Sequence, residues 1–310
     1  MPTFLDDNDV LELTDMADAV ALMESAFRQQ AAGTYVAPAR HQLETDPGRL
    51  VFTIGAAPEV EKVIGFRVYG IFPEGIDDES DQLVVVYSTE TGKIEGVISG
   101  GQIGAHRTGA INGVATKYLT RKDAKVLSII GAGFQARTQV LAAASVRSFE
   151  HLNIYSRTPT KGESLAAEIS KNFSGQIRLV DSAEAAVTSA DVLITATSSN
   201  TPVFDKSWLR PGTHVNSIGP KFKGAHELPV GIESVCDLLA TDSLAQVKGY
   251  STPHFIGDIS SMIGLEEIVV GHHPGRTSND QITLFNSTGL AGTEVLLGND
   301  LIQKYKAKSD

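Results

Sequence analysis

Residues 131–136 read Gly-Ala-Gly-Phe-Gln-Ala and have the G-x-G-x-x-A spacing of a dinucleotide-binding turn. Gly131 permits the tight turn, Gly133 lets the backbone approach a pyrophosphate, and Ala136 allows a helix to pack closely on a strand. The motif follows the apolar segment 126–130 directly and opens a predicted helix, whose N-terminus offers free N–H groups to phosphates. A tight turn without a ligand is the alternative. The sequence predicts a dinucleotide site that includes Gly131, Gly133, Phe134, Gln135 and Ala136.

The end of the next predicted strand, at 152–155, indicates which dinucleotide binds. An NAD site usually has Asp or Glu about 20 residues after the glycines, where it binds the ribose 2′-hydroxyl. This chain has Ser156, Arg157 and Thr158 there, and a guanidinium forms charge-assisted bonds to a 2′-phosphate. We therefore expect these three residues to bind NADP(H) in preference to NAD(H), which is the alternative cofactor. A loop-capping Arg157 in solvent is the other interpretation.

A group of small residues comes at the carboxyl end of a later predicted strand, at 192–196. Ligands of open α/β sheets bind at this edge, and small side chains leave room for a cofactor. We therefore assign Thr195, Ala196 and Thr197 to the cofactor site, with simple loop packing as the alternative.

The elements that position these motifs fall into two regions of the chain, which differ in hydrophobic periodicity. Strands and helices alternate from residue 125 onward, which indicates a parallel sheet covered on both faces. Upstream, residues 15–28 have helical spacing, and 50–98 contain strand-like segments with a predicted turn at 73–75. We predict an α/β fold with a Rossmann-type doubly wound parallel sheet in residues 122–289. An α+β N-terminal domain comprises residues 1–121 and is completed by a last helix within 290–310.

The composition excludes several classes of function. The formal net charge of the 310 residues is −11, whereas a nucleic-acid surface needs clustered lysine and arginine. A single cysteine, Cys236, rules out an internal disulfide. The start of the chain lacks the pattern of a signal peptide, and no uncharged apolar run approaches the roughly 18 residues of a membrane span. We expect a cytoplasmic protein that binds neither nucleic acid nor membrane.

A set of collinear motifs over most of the chain resembles the ornithine cyclodeaminase/μ-crystallin family. The matching stretches are Pro38-Ala39-Arg40, Arg107-Thr108-Gly109-Ala110, the glycine turn, Pro211 to Gly219, Glu227-Leu228, Pro274-Gly275-Arg276 and Phe285 to Leu290. The resemblance implies that the N-terminal domain carries substrate groups and dimerises, which predicts a homodimer. It also implies chemistry at the carbon that bears the amine or imine of an amino acid, with a bound nicotinamide.

Two arginines are matched to substrate binding by this resemblance. It implies that Arg107 and Arg40 hold the substrate carboxylate, for which the fork of a guanidinium is suited. Arg107 is predicted to lie immediately before a helix at 111–119, and Thr108 is assigned to the cofactor. For Arg107 the alternative is an ion pair with a surface acid.

Two departures from the family concern the reaction itself. Arg67 stands where the family usually has a lysine thought to assist proton transfer, and arginine is a poor acid or base because it stays protonated. Arg67 can still bind an anion. The alternative is that Arg67 is a charge on an edge strand that faces solvent. Lys221 stands where cyclodeaminases have a basic aspartate, and it could serve as an acid, bind an anion or lie in a solvated loop. We predict Arg67, Lys221 and Arg107 as catalytic, and Arg40, Arg67 and Arg107 as substrate-binding.

Further residues are matched to the cofactor by the same motifs. Ser217 and Ile218 belong to the stretch before Gly219, and Asn286 replaces the lysine of many relatives and is expected with Thr288 near the nicotinamide. His106 and His226 are interpreted as structural rather than catalytic. Asp258, His272 and His273 lack the spacing of a metal site, so no metal is predicted.

The leading hypothesis is an NADPH-dependent reductase of a cyclic ketimine or imino acid, or an amino-acid dehydrogenase in the reverse direction. Loss of both the lysine and the aspartate argues against amine elimination. One rival is a cyclodeaminase-like lyase that recycles its NAD(P), and another is a non-enzymatic NADPH-binding protein. The sequence identifies neither the substrate side chain nor the proton donor.

Overall fold

The computed structural model describes residues 1–72 and 82–309. They form two compact units: the chain up to Arg107 together with the segment from Gly289 onward, and Thr108–Thr288. The assignment of substrate binding and dimerisation to residues 1–121 with 290–310, and of dinucleotide binding to 122–289, stays a prediction. The predicted turn at 73–75 lies outside the described residues.

The elements are numbered in chain order. The strands are β1 (Thr3–Leu5), β2 (His41–Glu44), β3 (Arg49–Ala57), β4 (Val63–Ile71), β5 (Gln82–Ser88), β6 (Ile94–Ser99), β7 (Val126–Ile130), β8 (His151–Tyr155), β9 (Gln176–Leu179), β10 (Val192–Thr195), β11 (His214–Ser217), β12 (Lys221–Phe222), β13 (Ala225–His226), β14 (Leu238–Thr241), β15 (Met262–Gly264) and β16 (Thr283–Asn286). The α-helices are α1 (Asp7–Leu13), α2 (Met16–Ala31), α3 (Gln102–Leu119), α4 (Ala136–Val146), α5 (Pro159–Ile169), α6 (Ala183–Ser189), α7 (Leu244–Lys248), α8 (Leu265–Val269) and α9 (Thr293–Ser309).

The first unit is built on a mixed sheet with the strand order β1-β6-β5-β4-β3-β2. Strand β1 runs parallel to β6, and the other neighbours are antiparallel. The predicted amphipathic helix at 15–28 is α2, which begins at an Asp15 cap and buries Val20, Met23 and Phe27. Because α9 packs on β4, β5 and β6, the C-terminal segment completes this unit.

Helix α3 begins at Gln102 and not at Ile111, so Arg107 lies within the helix, and its predicted position immediately before the helix is wrong. The backbone N–H groups of Gly101 and Gln102 donate to the carboxylate of Asp7, at 3.2 and 2.8 Å. Such a cap satisfies N–H groups that have no partner inside the helix. Local sequence signals do not reveal this helix start, because the capping residue is 95 positions distant in the chain.

The second unit contains the predicted Rossmann-type doubly wound parallel sheet. Its strand order is β15-β14-β16-β11-β10-β7-β8-β9, and all its neighbouring strands are parallel. Leu127 and Ile129 of β7 belong to one buried apolar cluster with α4 and α5, whereas Leu193 of β10 belongs to a second cluster with α6. Strands buried on both faces are typical of parallel sheets covered by helices. The carboxyl ends of β7, β8, β10, β11 and β16 therefore meet at one edge.

Among the described helices, none combines the length and the apolar composition needed to cross a membrane. A cytoplasmic location stays an expectation.

Candidate functional site

The glycine turn after β7 has the geometry that the fingerprint requires. Gly131 has φ = 110°, in the region that favours glycine, and a Cβ on it would lie 2.3 Å from the carbonyl oxygen of Ala196. At Gly133, by contrast, no heavy atom of the described residues lies within 4 Å of where a Cβ would stand. A side chain at Gly133 would fill this open space, so the residues present fit a pyrophosphate that approaches the backbone.

A cavity of about 350 Å³ adjoins this turn in the second unit. The predicted cofactor residues that line it are Gly131, Gly133, Ser156, Arg157, Thr158, Ala196 and Thr197. Phe134 lies on the surface and is 57% exposed, and Gln135 precedes the first turn of α4. Ala136 is buried in the core between α4 and the sheet, as its role in close helix packing requires. The assignment of each residue to the cofactor stays a prediction.

Arg157 and Lys161, which we call the cation pair, lie at the start of α5 beside this cavity. Both are exposed, and neither forms an ion pair within the described residues. The first turn of α5 contains no acidic residue, so the positive end of the helix dipole adds to their charge. Sequence reasoning missed Lys161. The arrangement gathers positive charge that an anionic ligand can neutralise.

The carboxyl ends of β10 and β11 are tied together by a buried carboxylate. Glu227 accepts hydrogen bonds from the hydroxyls of Thr195 and Ser217, at 2.8 and 2.9 Å, and from the Gly219 N–H at 2.6 Å. It also accepts from the N–H and hydroxyl of Thr197, at 3.0 and 2.8 Å. Thr195 and Ser217 therefore direct their hydroxyls to Glu227, and Glu227 holds the strand ends in place.

Two predicted residues lie at the carboxyl end of β16, and a third, Lys221, contacts the residue that follows β11. Asn286 is 1% exposed, and its Oδ1 lies 3.0 Å from His254 Nε2. Thr288 donates from its N–H and its hydroxyl to Asp242 Oδ1, each at 2.7 Å. Lys221 is buried, and its Nζ donates to the carbonyl of Ile218 at 3.1 Å. Burial excludes the interpretation of Lys221 as a solvated loop residue.

In the first unit, Arg67 and Arg107 converge on Glu294. Arg67 Nη1 and Arg107 Nη2 lie 2.8 and 3.1 Å from Glu294 Oε1, and Arg67 Nη2 also donates to Gln82. Arg67 is 7% exposed and stands in β4, an inner strand of its sheet. The interpretation of Arg67 as an edge-strand charge in solvent is therefore wrong.

Arg40 lies against the same group, and Arg40, Arg67 and Arg107 are named the arginine cluster. Arg40 Nη2 donates to the carbonyl of Gly289 at 3.3 Å, and the Arg67 guanidinium carbon lies 4.5 Å from the Tyr69 ring centre. Burial raises the pKa of the Glu294 carboxyl, but the positive charges of Arg107 and Arg67 outweigh it and lower the pKa to about 2. Even with Glu294 ionised, the cluster keeps a net positive charge, which suits an anionic ligand.

Two other expectations concern the histidines and metals. His106 and His226 each place Nδ1 against a backbone carbonyl, of Gln102 at 2.8 Å and of Leu228 at 2.7 Å, which is a structural arrangement. In the part of the chain that the structure describes, no three His, Cys, Asp or Glu side chains are placed to hold a metal ion.

Sequence reasoning missed Glu294, Gln82 and His254. Glu294 left one signal, because it is a lone acid in the otherwise apolar or small segment 289–298. An unpaired charge is rarely buried, so a basic partner was to be expected. Gln82 and His254 have no comparable signal in the sequence.

The chain matches known proteins over most of its length. Residues 2–303 match the model of the "Ornithine cyclodeaminase/mu-crystallin family". The chain is 30% identical to the Delta(1)-pyrroline-2-carboxylate reductase of one strain of Bacillus cereus, with 96% of this chain and 94% of the relative covered.

Two solved structures share the fold. One is the Delta(1)-pyrroline-2-carboxylate reductase of Thermococcus litoralis in complex with NADH and L-proline, with a TM-score of 0.91, 32% identity, and 99% and 98% of the two chains covered. The other is an archaeal alanine dehydrogenase dimer with bound NAD, with a TM-score of 0.89, 27% identity, and 100% and 97% covered.

Proposed function

This chain belongs to the ornithine cyclodeaminase/mu-crystallin family, and we propose that it reduces the C=N bond of a cyclic ketimine or α-imino acid with NADPH. The reverse reaction is the dehydrogenation of an amino acid. The similarity to two pyrroline-2-carboxylate reductases supports this reaction. The observation that carries the proposal is the buried arginine cluster held by Glu294, because it provides a preformed site for the carboxylate of an amino or imino acid.

The arginine cluster binds and orients the substrate in this proposal. Arg107 and Arg40 hold the carboxylate, and Arg67 adds a third guanidinium that Glu294 and Gln82 fix in direction. Fixed geometry of this kind supplies much of the rate enhancement of an enzyme, because the reacting groups need no further ordering. A nicotinamide cofactor supplies the hydride when it is bound.

Lys221 is the proposed proton donor to the imine nitrogen. Of the three predicted catalytic residues it alone can release a proton, because arginine stays protonated at any pH a protein tolerates. Lys221 is buried, and its Nζ donates to the carbonyl of Ile218 at 3.1 Å, so its ammonium group has a defined position. Replacement of Lys221 by Met should lower kcat for the imino acid, which steady-state kinetics measures.

NADP(H) is the proposed cofactor in preference to NAD(H). The support is the cation pair beside the cavity and the absence of an acidic residue from the first turn of α5. The proposed dinucleotide site comprises Thr108, Gly131, Gly133, Phe134, Gln135, Ala136, Ser156, Arg157, Thr158, Thr195, Ala196, Thr197, Ser217, Ile218, Asn286 and Thr288. Of these, Ala136 acts through helix packing, and Thr195 and Ser217 act through Glu227.

A homodimer through the first unit completes the proposal. Apolar side chains are exposed on one face of its sheet, among them Val36 (53%), Ile54 (48%) and Ile64 (49%). Exposed apolar patches of this kind mark interfaces. The archaeal alanine dehydrogenase of similar fold is a dimer. If this chain dimerises too, analytical ultracentrifugation should give twice the mass of one protomer.

The test of the reaction is the oxidation of NADPH with a panel of cyclic imines, and of 2-oxo acids with amines. The proposal predicts that one NADPH is consumed for each amino acid formed. Release of ammonia from an amino acid without net loss of NADPH would indicate the lyase instead. Tight NADPH binding without turnover of any compound would indicate a binding protein.

A further inference from the structure

His254 and Asn286 form a buried hydrogen-bonded pair in which one donor, the Nδ2 group of Asn286, lacks an acceptor among the described residues. Both residues are buried, at 6% and 1% exposure, and His254 Nε2 lies 3.0 Å from Asn286 Oδ1. The backbone N–H of Ile256 donates to His254 Nδ1 at 3.2 Å. Within the described residues, Asn286 Nδ2 has no hydrogen-bond acceptor.

These contacts determine which way the Asn286 amide faces. Because His254 Nδ1 accepts from Ile256, the ring proton of the neutral imidazole is on Nε2, which donates to Asn286 Oδ1. Burial lowers the pKa of His254, the direction that favours the neutral ring. A flipped amide would place two donors against each other. His254 therefore leaves the Nδ2 group of Asn286 as a donor for something else.

A second His–Asn pair in the same unit shows how such a pair looks when the chain completes it. His214 Nε2 lies 3.0 Å from Asn216 Oδ1, the same contact at the same distance. Asn216 Nδ2, however, donates to Thr116 Oγ1 at 2.9 Å and to the carbonyl of Asn112 at 3.4 Å. A buried donor without an acceptor is costly, so Asn286 Nδ2, unlike Asn216 Nδ2, keeps a hydrogen bond that a bound ligand would complete.

The position of Asn286 in the sheet indicates which part of the ligand lies there. The glycine turn follows β7 and Arg157 follows β8, so the adenosine half of a dinucleotide would lie on that side of the edge. Asn286 ends β16, which is on the opposite side of β7, beyond β10 and β11. The nicotinamide half would lie on that side, and its carboxamide oxygen is a hydrogen-bond acceptor.

We propose that Asn286 donates a hydrogen bond from Nδ2 to the carboxamide oxygen of the bound nicotinamide, and that His254 is the positioning residue that fixes the amide in this orientation. The inference rests on the proposed function for the identity of the cofactor, but not for the imine. It gives Asn286 a defined role in place of the family's usual lysine.

The test compares NADPH with 2′-phospho-ADP-ribose, which lacks the nicotinamide, by calorimetric titration of the full chain. Asn286→Asp keeps the acceptor for His254 but replaces the donor by a carboxylate, so the NADPH affinity should fall about tenfold or more. The affinity for 2′-phospho-ADP-ribose should change less than about twofold. His254→Phe keeps an aromatic ring and should give the same pattern with a smaller loss, of about threefold.

The matched control is Asn216→Asp in the completed pair, which should alter thermal stability but not the ratio of the two affinities. The 3-acetylpyridine analogue of NADPH keeps the carbonyl oxygen and lacks the amide nitrogen, so the Asn286→Asp loss should persist with it. Equal losses for both ligands, or a loss that vanishes with the analogue, would overturn the inference. So would an effect on the KM of the imino acid alone. Failure of the unaltered chain to bind NADPH would instead overturn the proposed function.

Discussion

The two units differ in where they place positive charge: it is buried and paired in the first unit, and exposed and without an ion-pair partner among the described residues in the second. In the arginine cluster, Arg67 and Arg107 are buried against one oxygen of Glu294, so the chain itself supplies part of the counter-charge. The cation pair, Arg157 and Lys161, is exposed and has no ion-pair partner in the described residues. Buried charges need partners for the fold to be stable, whereas exposed ones do not.

Because of this difference, the arginine cluster should matter for the stability of the fold and the cation pair for the selectivity between dinucleotides. Changes in the arginine cluster should affect folding and substrate binding together, because the arginines that pair with Glu294 are the ones proposed to bind the substrate. Changes in the cation pair should affect the choice of dinucleotide and leave folding almost unchanged, since both side chains are exposed.

Glu294→Gln should give the largest effect, because it removes the carboxylate that two buried guanidinium groups share. Breaking a buried ion pair on one side typically costs about 3–5 kcal/mol of unfolding free energy. Urea unfolding measures it. The control is Glu90→Gln, which breaks an exposed pair with Lys62 and should cost less than about 1 kcal/mol. Equal losses of unfolding free energy in Glu294→Gln and Glu90→Gln would contradict the claim that the buried charge stabilises the fold more than the exposed one.

Arg107→Lys should lower kcat/KM for the imino acid by about tenfold to a hundredfold, since a hydrogen bond to a charged group contributes about 1.5–3 kcal/mol. The loss should appear mainly as a higher KM, with NADPH affinity unchanged. Arg28→Lys, at an exposed arginine that pairs with Glu24, is the control and should leave the kinetics as they are. An unchanged KM in the Arg107 variant would show that this arginine holds no substrate carboxylate.

Arg157→Asp should shift the ratio of kcat/KM for NADPH and NADH toward NADH by about tenfold or more, because a carboxylate repels the 2′-phosphate and binds a 2′-hydroxyl. The unfolding free energy should stay within about 0.5 kcal/mol, as for exposed sites generally. Arg178→Asp, at an exposed arginine of β9, is the control. A large loss of stability at Arg157 would contradict the view that its charge awaits a ligand.

A smaller effect concerns acid stability. The pKa of Glu294 is lowered from its ordinary 4.5 to about 2, so its contribution to stability is present above pH 4.5 and is lost as the pH falls toward 2. The difference in unfolding free energy between the unaltered chain and Glu294→Gln should therefore shrink over this range. A difference that stays constant from about pH 5 to about pH 2.5 would mean that the carboxyl does not titrate there.

What the sequence could predict was local. The glycine turn and the strands around it are contiguous in the chain, so their pattern identifies the fold. The serine-arginine-threonine group after β8 is contiguous too, and it predicts NADP(H). The contacts that decide the details join distant residues. Glu294 is 227 positions from Arg67, and the Asp7 cap of α3 is 95 positions from Gln102. No periodicity encodes such pairs, because only the folded chain brings them together.

The central claim is that a preformed arginine cluster recognises a carboxylate next to the C=N bond. The most direct measurement is kcat/KM with NADPH for Δ1-pyrroline-2-carboxylate and for Δ1-pyrroline, which lacks the carboxylate. We predict that the carboxylate raises kcat/KM by about a hundredfold or more, and that Arg107→Lys narrows this ratio. Similar values for the two imines in the unaltered enzyme would contradict the claim.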